Sequence, residues 1–143
     1  FHSHEFQGLT EIRTGTYVFN DASYLRKGVC TLEQCALKVI TTVISAPTAD
    51  RVIIDGGSKT FSSDMGYPMG HILEYPEAQI YQMSEEHGFV DVAQCAHRPK
   101  LGERLTVIPN HACGTINMHD ELIGLRGRNV EALWEITARG KIQ

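Results

Sequence analysis

Two runs rich in β-branched residues, Leu37-Lys-Val-Ile-Thr-Thr-Val-Ile-Ser45 and Arg51-Val-Ile-Ile-Asp55, flank the stretch Ala46-Pro-Thr-Ala-Asp50. Valine, isoleucine and threonine favour strands, whereas proline and aspartate favour turns. Two such runs joined by a short turn-forming stretch are typical of antiparallel neighbours. The sequence therefore predicts a pair of strands in the first half of the chain.

The same pattern of short β-branched or aromatic runs between Gly, Pro, Asn and Asp continues along the chain. Five more candidate strands are Gly15–Asn20, Gln79–Met83, Arg104–Ile108, Glu121–Arg126 and Ala132–Arg139. Many strands separated by turns favour a closed or sandwiched antiparallel sheet. The helix-start signal, a capping-box spacing at Thr31-Leu32-Glu33-Gln34, supports only a short helical turn. We predict a mainly β fold, an antiparallel β-barrel or sandwich-like domain with one or two short helices.

Composition and charge exclude several classes of protein. The chain has 143 residues, the size of one domain, and its 42% hydrophobic and 21% charged residues exclude disorder. The 13 basic and 17 acidic residues give a net charge of −4, which argues against a nucleic-acid or anionic-membrane partner. The longest apolar run, Val39–Ala46, is too short to span a membrane. With no secretory signal visible, we expect a cytoplasmic protein whose four cysteines are reduced.

Pairs of possible metal ligands two positions apart stand out, because residues two apart in a strand point to the same face. The three pairs are His2 and His4, Cys95 and His97, and His111 and Cys113. Imidazole and thiolate together suit zinc. Two kinds of metal site are possible. One is a closed structural site made of both Cys/His pairs, and the other is a site with free coordination positions made of His111 and Cys113 alone. A third interpretation makes the pairs core cysteines and surface histidines.

The context of the last pair favours a functional site. Leu105–Ile108 is a strong strand signal, and Pro109-Asn110 ends it directly before His111. Two soft-metal donors therefore follow a strand end, and the rims of β-structures are where ligands are usually presented.

Pro109-Asn110-His111-Ala112-Cys113-Gly114-Thr115, followed by His119-Asp120, resembles the metal motif of the D-serine dehydratase and D-threonine aldolase family. Four other segments resemble that family in the same order along the chain: Thr10–Tyr17, Asp55–Lys59, Ser84–Gly88 and Trp134–Gly140. The resemblance spans about Glu11 to Gly140, nearly the whole chain.

The resemblance implies a domain organisation. Members of this family are similar to alanine racemase, with an N-terminal barrel that holds pyridoxal phosphate, a C-terminal β domain and a homodimeric assembly. Residues 1–143 resemble the C-terminal domain alone, and no lysine here matches the family's Schiff-base lysine. Since the chain also lacks an initiator Met, we expect a single-domain fragment without its pyridoxal-phosphate barrel, inactive by itself.

The resemblance also implies roles for individual residues. His111 and Cys113 would bind a divalent metal that holds the β-oxygen of a D-amino acid substrate. The thiolate favours zinc, with manganese possible, and resembles the dehydratase branch more than the aldolase branch. Tyr17 would face the cofactor and take part in catalysis, and His87 would act as an acid or base. The implied reaction is dehydration of D-serine or retro-aldol cleavage of D-threonine.

Other residues and alternatives stay open. His119 or Asp120 could orient His111 as a hydrogen-bond partner, while Lys59 is expected to pair with a carboxylate or face solvent and Trp134 to lie in the core. The residues whose roles the sequence leaves undecided are Asp64, His71, Cys95, His97 and His119. The alternative functions are a zinc-stabilised β module for protein binding and a racemase-type C-terminal domain.

Overall fold

A computed structural model describes residues 5–141 of the chain. The eight strands are β1 (Val39–Thr48), β2 (Arg51–Ile54), β3 (His71–Ile72), β4 (Gln79–Met83), β5 (Gly88–Asp91), β6 (Arg104–Ile108), β7 (Glu121–Arg126) and β8 (Asn129–Glu135). The three short α-helices are α1 (Ala22–Arg26), α2 (Ser58–Phe61) and α3 (Ala112–Ile116), and 3-10 turns cover Thr16–Val18 and Leu32–Gln34. No helix among the described residues has the length and apolar character that crossing a bilayer requires.

Six strands form one antiparallel sheet in the order β3-β6-β1-β2-β5-β4. Its two edges meet, since the Met69 N–H just before β3 donates to the Ile80 carbonyl of β4 at 3.0 Å. The sheet is thus nearly closed into a barrel, and β7 and β8 form a separate hairpin. The predicted mainly β, antiparallel barrel-like fold is confirmed.

The barrel interior is filled by alternating side chains of the strands. In β2, Val52 and Ile54 are fully buried, and Val90 of β5 and Leu105 and Val107 of β6 join them in one apolar cluster. Burying a side chain of this size stabilises a fold by about 1.5–3 kcal/mol. The core therefore comes from the strands that the β-branched runs predict.

Strand predictions succeed where the β-branched pattern is long enough. The bounds of Gln79–Met83, Arg104–Ile108 and Glu121–Arg126 are confirmed. The prediction for Gly15–Asn20 is wrong: the Val18 and Phe19 amides donate back to the Gly15 and Thr16 carbonyls, at 3.2 Å each, as a 3-10 turn. Local turn bonds replace the ladder that a strand would need.

Two further expectations are corrected at the C-terminal end. The last strand, predicted as Ala132–Arg139, is β8 and ends at Glu135. Trp134, expected in the core, is 57% exposed, because β8 pairs only with β7 in the hairpin. Its indole lies over Gly124, where a Cβ atom would approach the ring to 2.6 Å.

A carboxylate at the end of β2 links stability to pH. Asp55 accepts hydrogen bonds from the Thr41 hydroxyl at 2.5 Å and the Thr42 N–H at 2.7 Å. Burial favours its neutral form, but these bonds outweigh burial and hold the pKa of Asp55 below its usual value. A lowered carboxyl pKa means that the ionised group stabilises the fold at neutral pH, and that this stabilisation is lost as the pH falls through the folded-state pKa.

We therefore expect Asp55→Asn to lower the free energy of unfolding by about 1 kcal/mol at pH 7, a reduced value because the group is largely solvated. The loss should shrink as the pH falls below the ordinary carboxyl value of about 4 and then through the lowered folded-state pKa, where wild-type Asp55 becomes protonated as well. Urea unfolding at pH 7 and pH 3 measures both. An equal loss at the two pH values would contradict the assignment.

Candidate functional site

The motif that the sequence places at the end of β6 lies on α3. His111 immediately precedes this helix with an extended backbone, and Cys113 is its second residue. The two residues therefore lie at the start of a helix and not on the shared face of a strand, so the geometric reason for pairing them does not hold. His111 is partly buried, whereas Cys113 is exposed.

A buried aspartate anchors the start of α3. Asp21, 1% exposed, caps α1 through a hydrogen bond from the Tyr24 N–H at 3.0 Å, and the Ser23 hydroxyl donates to the same oxygen at 2.7 Å. Its other oxygen accepts the Ala112 N–H at 3.2 Å. The Asp21 carboxylate thus connects α1 to Ala112, the residue between His111 and Cys113.

The far side of α3 packs on α2. The buried Thr115 hydroxyl donates to the Phe61 carbonyl at 2.8 Å. After α2 the chain turns at Ser62, whose φ of 62° is in the left-handed region, and leads to Asp64. This turn places the Asp64 carboxylate against His111, with a hydrogen bond between Oδ2 and the ring Nδ1.

Asp64 is held in its ionised form. The Ser62 hydroxyl donates to Asp64 Oδ1 at 2.5 Å, and this bond together with His111 lowers the pKa of Asp64 despite some burial. Sequence spacing does not predict the Asp64–His111 contact, since 47 residues separate the pair. The signal in the sequence is indirect: Asp64 lies in the long Gly- and Pro-containing segment 56–77, and loops of that kind are often functional.

His119 and Asp120, which the sequence suggests as partners of His111, have other contacts. The His119 ring bonds the Thr60 carbonyl at 3.1 Å, and Asp120 pairs with Arg139 at 2.9 Å. The carboxylate that contacts His111 is therefore Asp64.

Tyr17 lies in the segment beside Cys113. The thiol of Cys113 is 3.8 Å from the hydroxyl of Thr16, the residue before Tyr17. Tyr17 itself is 57% exposed. The fold thus brings the Thr10–Tyr17 and Pro109–Thr115 motifs together at one end of the barrel.

The Ser84–Gly88 motif reaches the same end through α2. The Ser58 N–H donates to the Ser84 carbonyl at 2.9 Å, and the Lys59 N–H donates to the Glu85 carbonyl at 3.1 Å. Gly57 makes this approach possible, because a Cβ there would lie 2.5 Å from both carbonyl oxygens. His87 closes the turn and its side chain is exposed.

Charge also links α2 to that turn. As expected for Lys59, its ammonium pairs with carboxylates, Glu85 and Glu86, at 2.8 Å each. Hydrogen bonds to these two groups raise the pKa of Lys59, so it is a cation at neutral pH. Lys59 thus forms part of the contact between α2 and the Ser84–Gly88 turn.

The four-ligand zinc site is wrong for the part of the chain that the structure describes. Across residues 5–141 no three His, Cys, Asp or Glu side chains are grouped as metal ligands. Cys95 packs against the barrel core, and burial raises its pKa, which disfavours a thiolate. All four cysteines are free thiols, and the His2/His4 pair lies outside the described residues.

His111 and Cys113 do fit a metal with an open coordination sphere. They supply one imidazole nitrogen and one sulfur, a combination that suits zinc. Two side chains cannot close a four-coordinate site, and the exposure of Cys113 leaves room for water, substrate or a residue from elsewhere.

The chain is similar to known proteins in sequence and in structure. Residues 36–125 match the family described as "Putative serine dehydratase domain". The chain is 39% identical to D-threonine aldolase of an Arthrobacter species over 134 residues, 92% of this chain. It is 34% identical to an uncharacterized protein of Mycobacterium tuberculosis over 131 residues.

Solved structures share the fold. The crystal structure of D-threonine aldolase from Filomicrobium marinum superposes with a TM-score of 0.77 at 31% identity. D-threo-3-hydroxyaspartate dehydratase, as a cysteine-to-alanine mutant in the metal-free form, superposes with a TM-score of 0.75 at 30% identity. A histidine-to-alanine mutant of the same enzyme gives 0.73, also at 30% identity. Each covers 90% of this chain.

The shares of the related proteins differ. The chain spans 35% of the length of the Arthrobacter aldolase. It spans 36% of the Filomicrobium aldolase, 39% of the cysteine mutant and 38% of the histidine mutant. In contrast, it spans 98% of the mycobacterial protein. The matched region is therefore about a third of the enzymes and nearly all of the mycobacterial chain.

Proposed function

This chain belongs to the serine dehydratase domain family, and we propose that it is the C-terminal metal-binding domain of a pyridoxal-phosphate-dependent lyase that acts on β-hydroxy D-amino acids. The observation that carries the proposal is the position of His111 directly before α3 and of the exposed Cys113 on the first turn of that helix. The relatives of this chain are named as D-threonine aldolase, 3-hydroxy-D-aspartate aldolase and D-serine dehydratase.

The solved relatives support His111 and Cys113 as metal ligands. In D-threo-3-hydroxyaspartate dehydratase, the substituted histidine and cysteine are two positions apart, and the cysteine mutant is in a metal-free form. His111 and Cys113 have the same residue types and the same spacing. His111 would offer a neutral ring nitrogen and Cys113 a thiolate to zinc, or to manganese as the second choice.

The residues around the pair suit a substrate oxygen bound beside them. A bound divalent cation supplies Lewis acidity toward the β-oxygen of the substrate, and pyridoxal phosphate supplies an electron sink next to its α-carbon. The reaction is D-serine dehydration or D-threonine retro-aldol cleavage, with the thiolate favouring dehydration. In this proposal Tyr17, in the segment that contacts Cys113, faces the bound cofactor, and His87 holds or moves a proton as an acid or base.

The chain spans only about a third of the enzymes that it matches, and we propose that the rest of the active site belongs to another part of the protein. We propose that this part is an N-terminal barrel with the cofactor lysine, that the assembly is a cytoplasmic homodimer, and that residues 1–143 alone have no lyase activity. Replacing the matched third of the Arthrobacter aldolase by this chain tests the catalytic proposal, with a chimera carrying His111→Ala as its control. A chimera that folds and binds pyridoxal phosphate but neither dehydrates D-serine nor cleaves D-threonine would count against the catalytic proposal.

Metal removal distinguishes the open site from a structural one. Zinc at a two-ligand site on the surface of α3 does not hold the barrel core together, so we expect the 143-residue chain to bind zinc and to melt within a few degrees of the same temperature after treatment with a chelator. Equilibrium dialysis and thermal melts measure these two quantities. A chelator that unfolds the chain would favour the zinc-stabilised module, because structural zinc contributes directly to folding.

A further inference from the structure

We propose that Asp64 is a positioning residue for His111: its hydrogen bond to the ring selects the imidazole form that carries its proton on Nδ1 and leaves Nε2 free to bind the metal. The inference rests on the proposed metal-binding function. It concerns a residue 47 positions away in the sequence from the ligand that it would orient.

The chemistry of the contact determines the direction of the bond. Asp64 Oδ2 lies against Nδ1 of His111. An ionised carboxylate can only accept hydrogen bonds, so the proton of a neutral imidazole must sit on Nδ1. Nε2 then carries the lone pair that a metal requires. Histidine ligands in metalloproteins commonly donate their second ring N–H to a carboxylate in this way.

The carboxylate is supported before any metal binds. The Ser62 hydroxyl donates to its Oδ1 at 2.5 Å, and the Ser62 N–H donates to the Ser58 carbonyl of α2 at 3.1 Å. Asp64 is thereby attached to the end of α2, and α2 is attached to α3 through Thr115. Asp64, three residues after α2, and His111, directly before α3, therefore adjoin two helices that are bonded to each other.

A second anchor holds the chain after Asp64. Asn110, directly before His111, is buried, and its amide donates to the carbonyls of Gly66 at 2.8 Å and Pro68 at 2.5 Å. Its oxygen accepts the Gly70 N–H at 2.9 Å. The loop that carries Asp64 is thus bonded on both sides of the carboxylate to segments adjoining His111, which keeps the contact in place.

The experiment has one readout without metal and one with metal. In the metal-free 143-residue chain with ¹⁵N-labelled histidine, long-range ¹H–¹⁵N spectra report which ring nitrogen of His111 carries the proton, and His111→Gln identifies the signal. We expect mainly the Nδ1–H form in the wild type and a shift toward Nε2–H in Asp64→Ala. We expect zinc affinity, measured by competition with a chelating dye, to fall about 10–100-fold in Asp64→Ala.

Asp120→Ala is the matched control, because this carboxylate lies shortly after α3, the helix that begins next to His111, but pairs with Arg139. It should change neither readout. Asp64 is partly exposed, so Asp64→Ala should also keep the wild-type melting temperature. If Asp64→Ala leaves the ring form of His111 and the zinc affinity at their wild-type values, the inference is overturned. Zinc binding by the wild type separately decides the proposed function, because the metal-free spectra do not depend on it.

Discussion

Replacing His111 or Cys113 with alanine is expected to lower the affinity of the chain for zinc by more than about 100-fold. Loss of a group that only orients a ligand already costs 10–100-fold, so loss of one of two ligands should cost more. The fold should be retained, because Cys113 is exposed and the His111 side chain is only partly buried, outside the apolar core of the barrel. Competition with a chelating dye measures the affinity, and circular dichroism verifies the fold.

Cys95→Ala and His97→Ala are matched controls. These two residues are also a cysteine and a histidine two positions apart, but they do not belong to the proposed site. Neither should alter zinc binding. Cys113→Asp should shift the preference from zinc toward manganese, because a carboxylate is a harder ligand than a thiolate. Unchanged zinc affinity in Cys113→Ala would show that the ligand assignment is wrong.

Asp21→Ala is expected to lower the free energy of unfolding by about 3 kcal/mol. Loss of a helix N-cap costs about 1 kcal/mol, and leaving the buried Ala112 N–H without its acceptor costs about 1–3 kcal/mol more. The buried Asp21 carboxylate accepts three hydrogen bonds, two from α1 and one from the Ala112 N–H of α3, and so connects the two helices. Urea denaturation followed by circular dichroism measures the change.

Two further variants calibrate that result. Asp50→Ala removes an exposed carboxylate from the turn between β1 and β2, and should leave the free energy of unfolding nearly unchanged. Asp21→Asn keeps one oxygen for the α1 cap and should cost less than Asp21→Ala. A loss below about 1 kcal/mol in Asp21→Ala would mean that α3 is anchored mainly by Thr115 and its packing on α2.

The sequence alone determines most of the barrel. Strands such as Gln79–Met83 and Arg104–Ile108 contain β-branched or aromatic residues between turn-forming segments, and these local preferences agree with the final pairing. β3 and β5 were not predicted, because they are short and His71–Ile72 and Gly88–Asp91 become strands only by pairing with β6 and with β2 and β4. Trp134 illustrates the opposite error, since hydrophobicity alone does not show whether a hairpin is covered.

The sequence also indicates the proposed ligand pair, because His111 and Cys113 are near neighbours along the chain and belong to a motif that can be read locally. It could not determine their surroundings. The buried Asp21 under α3, the Asp64 carboxylate on the His111 ring and the Ser84–Gly88 turn on α2 are contacts between residues 26 to 91 positions apart. Such contacts arise only when the sheet curls until its edges meet and gathers the loops at one end, so the tertiary structure alone decides which side chains complete the site.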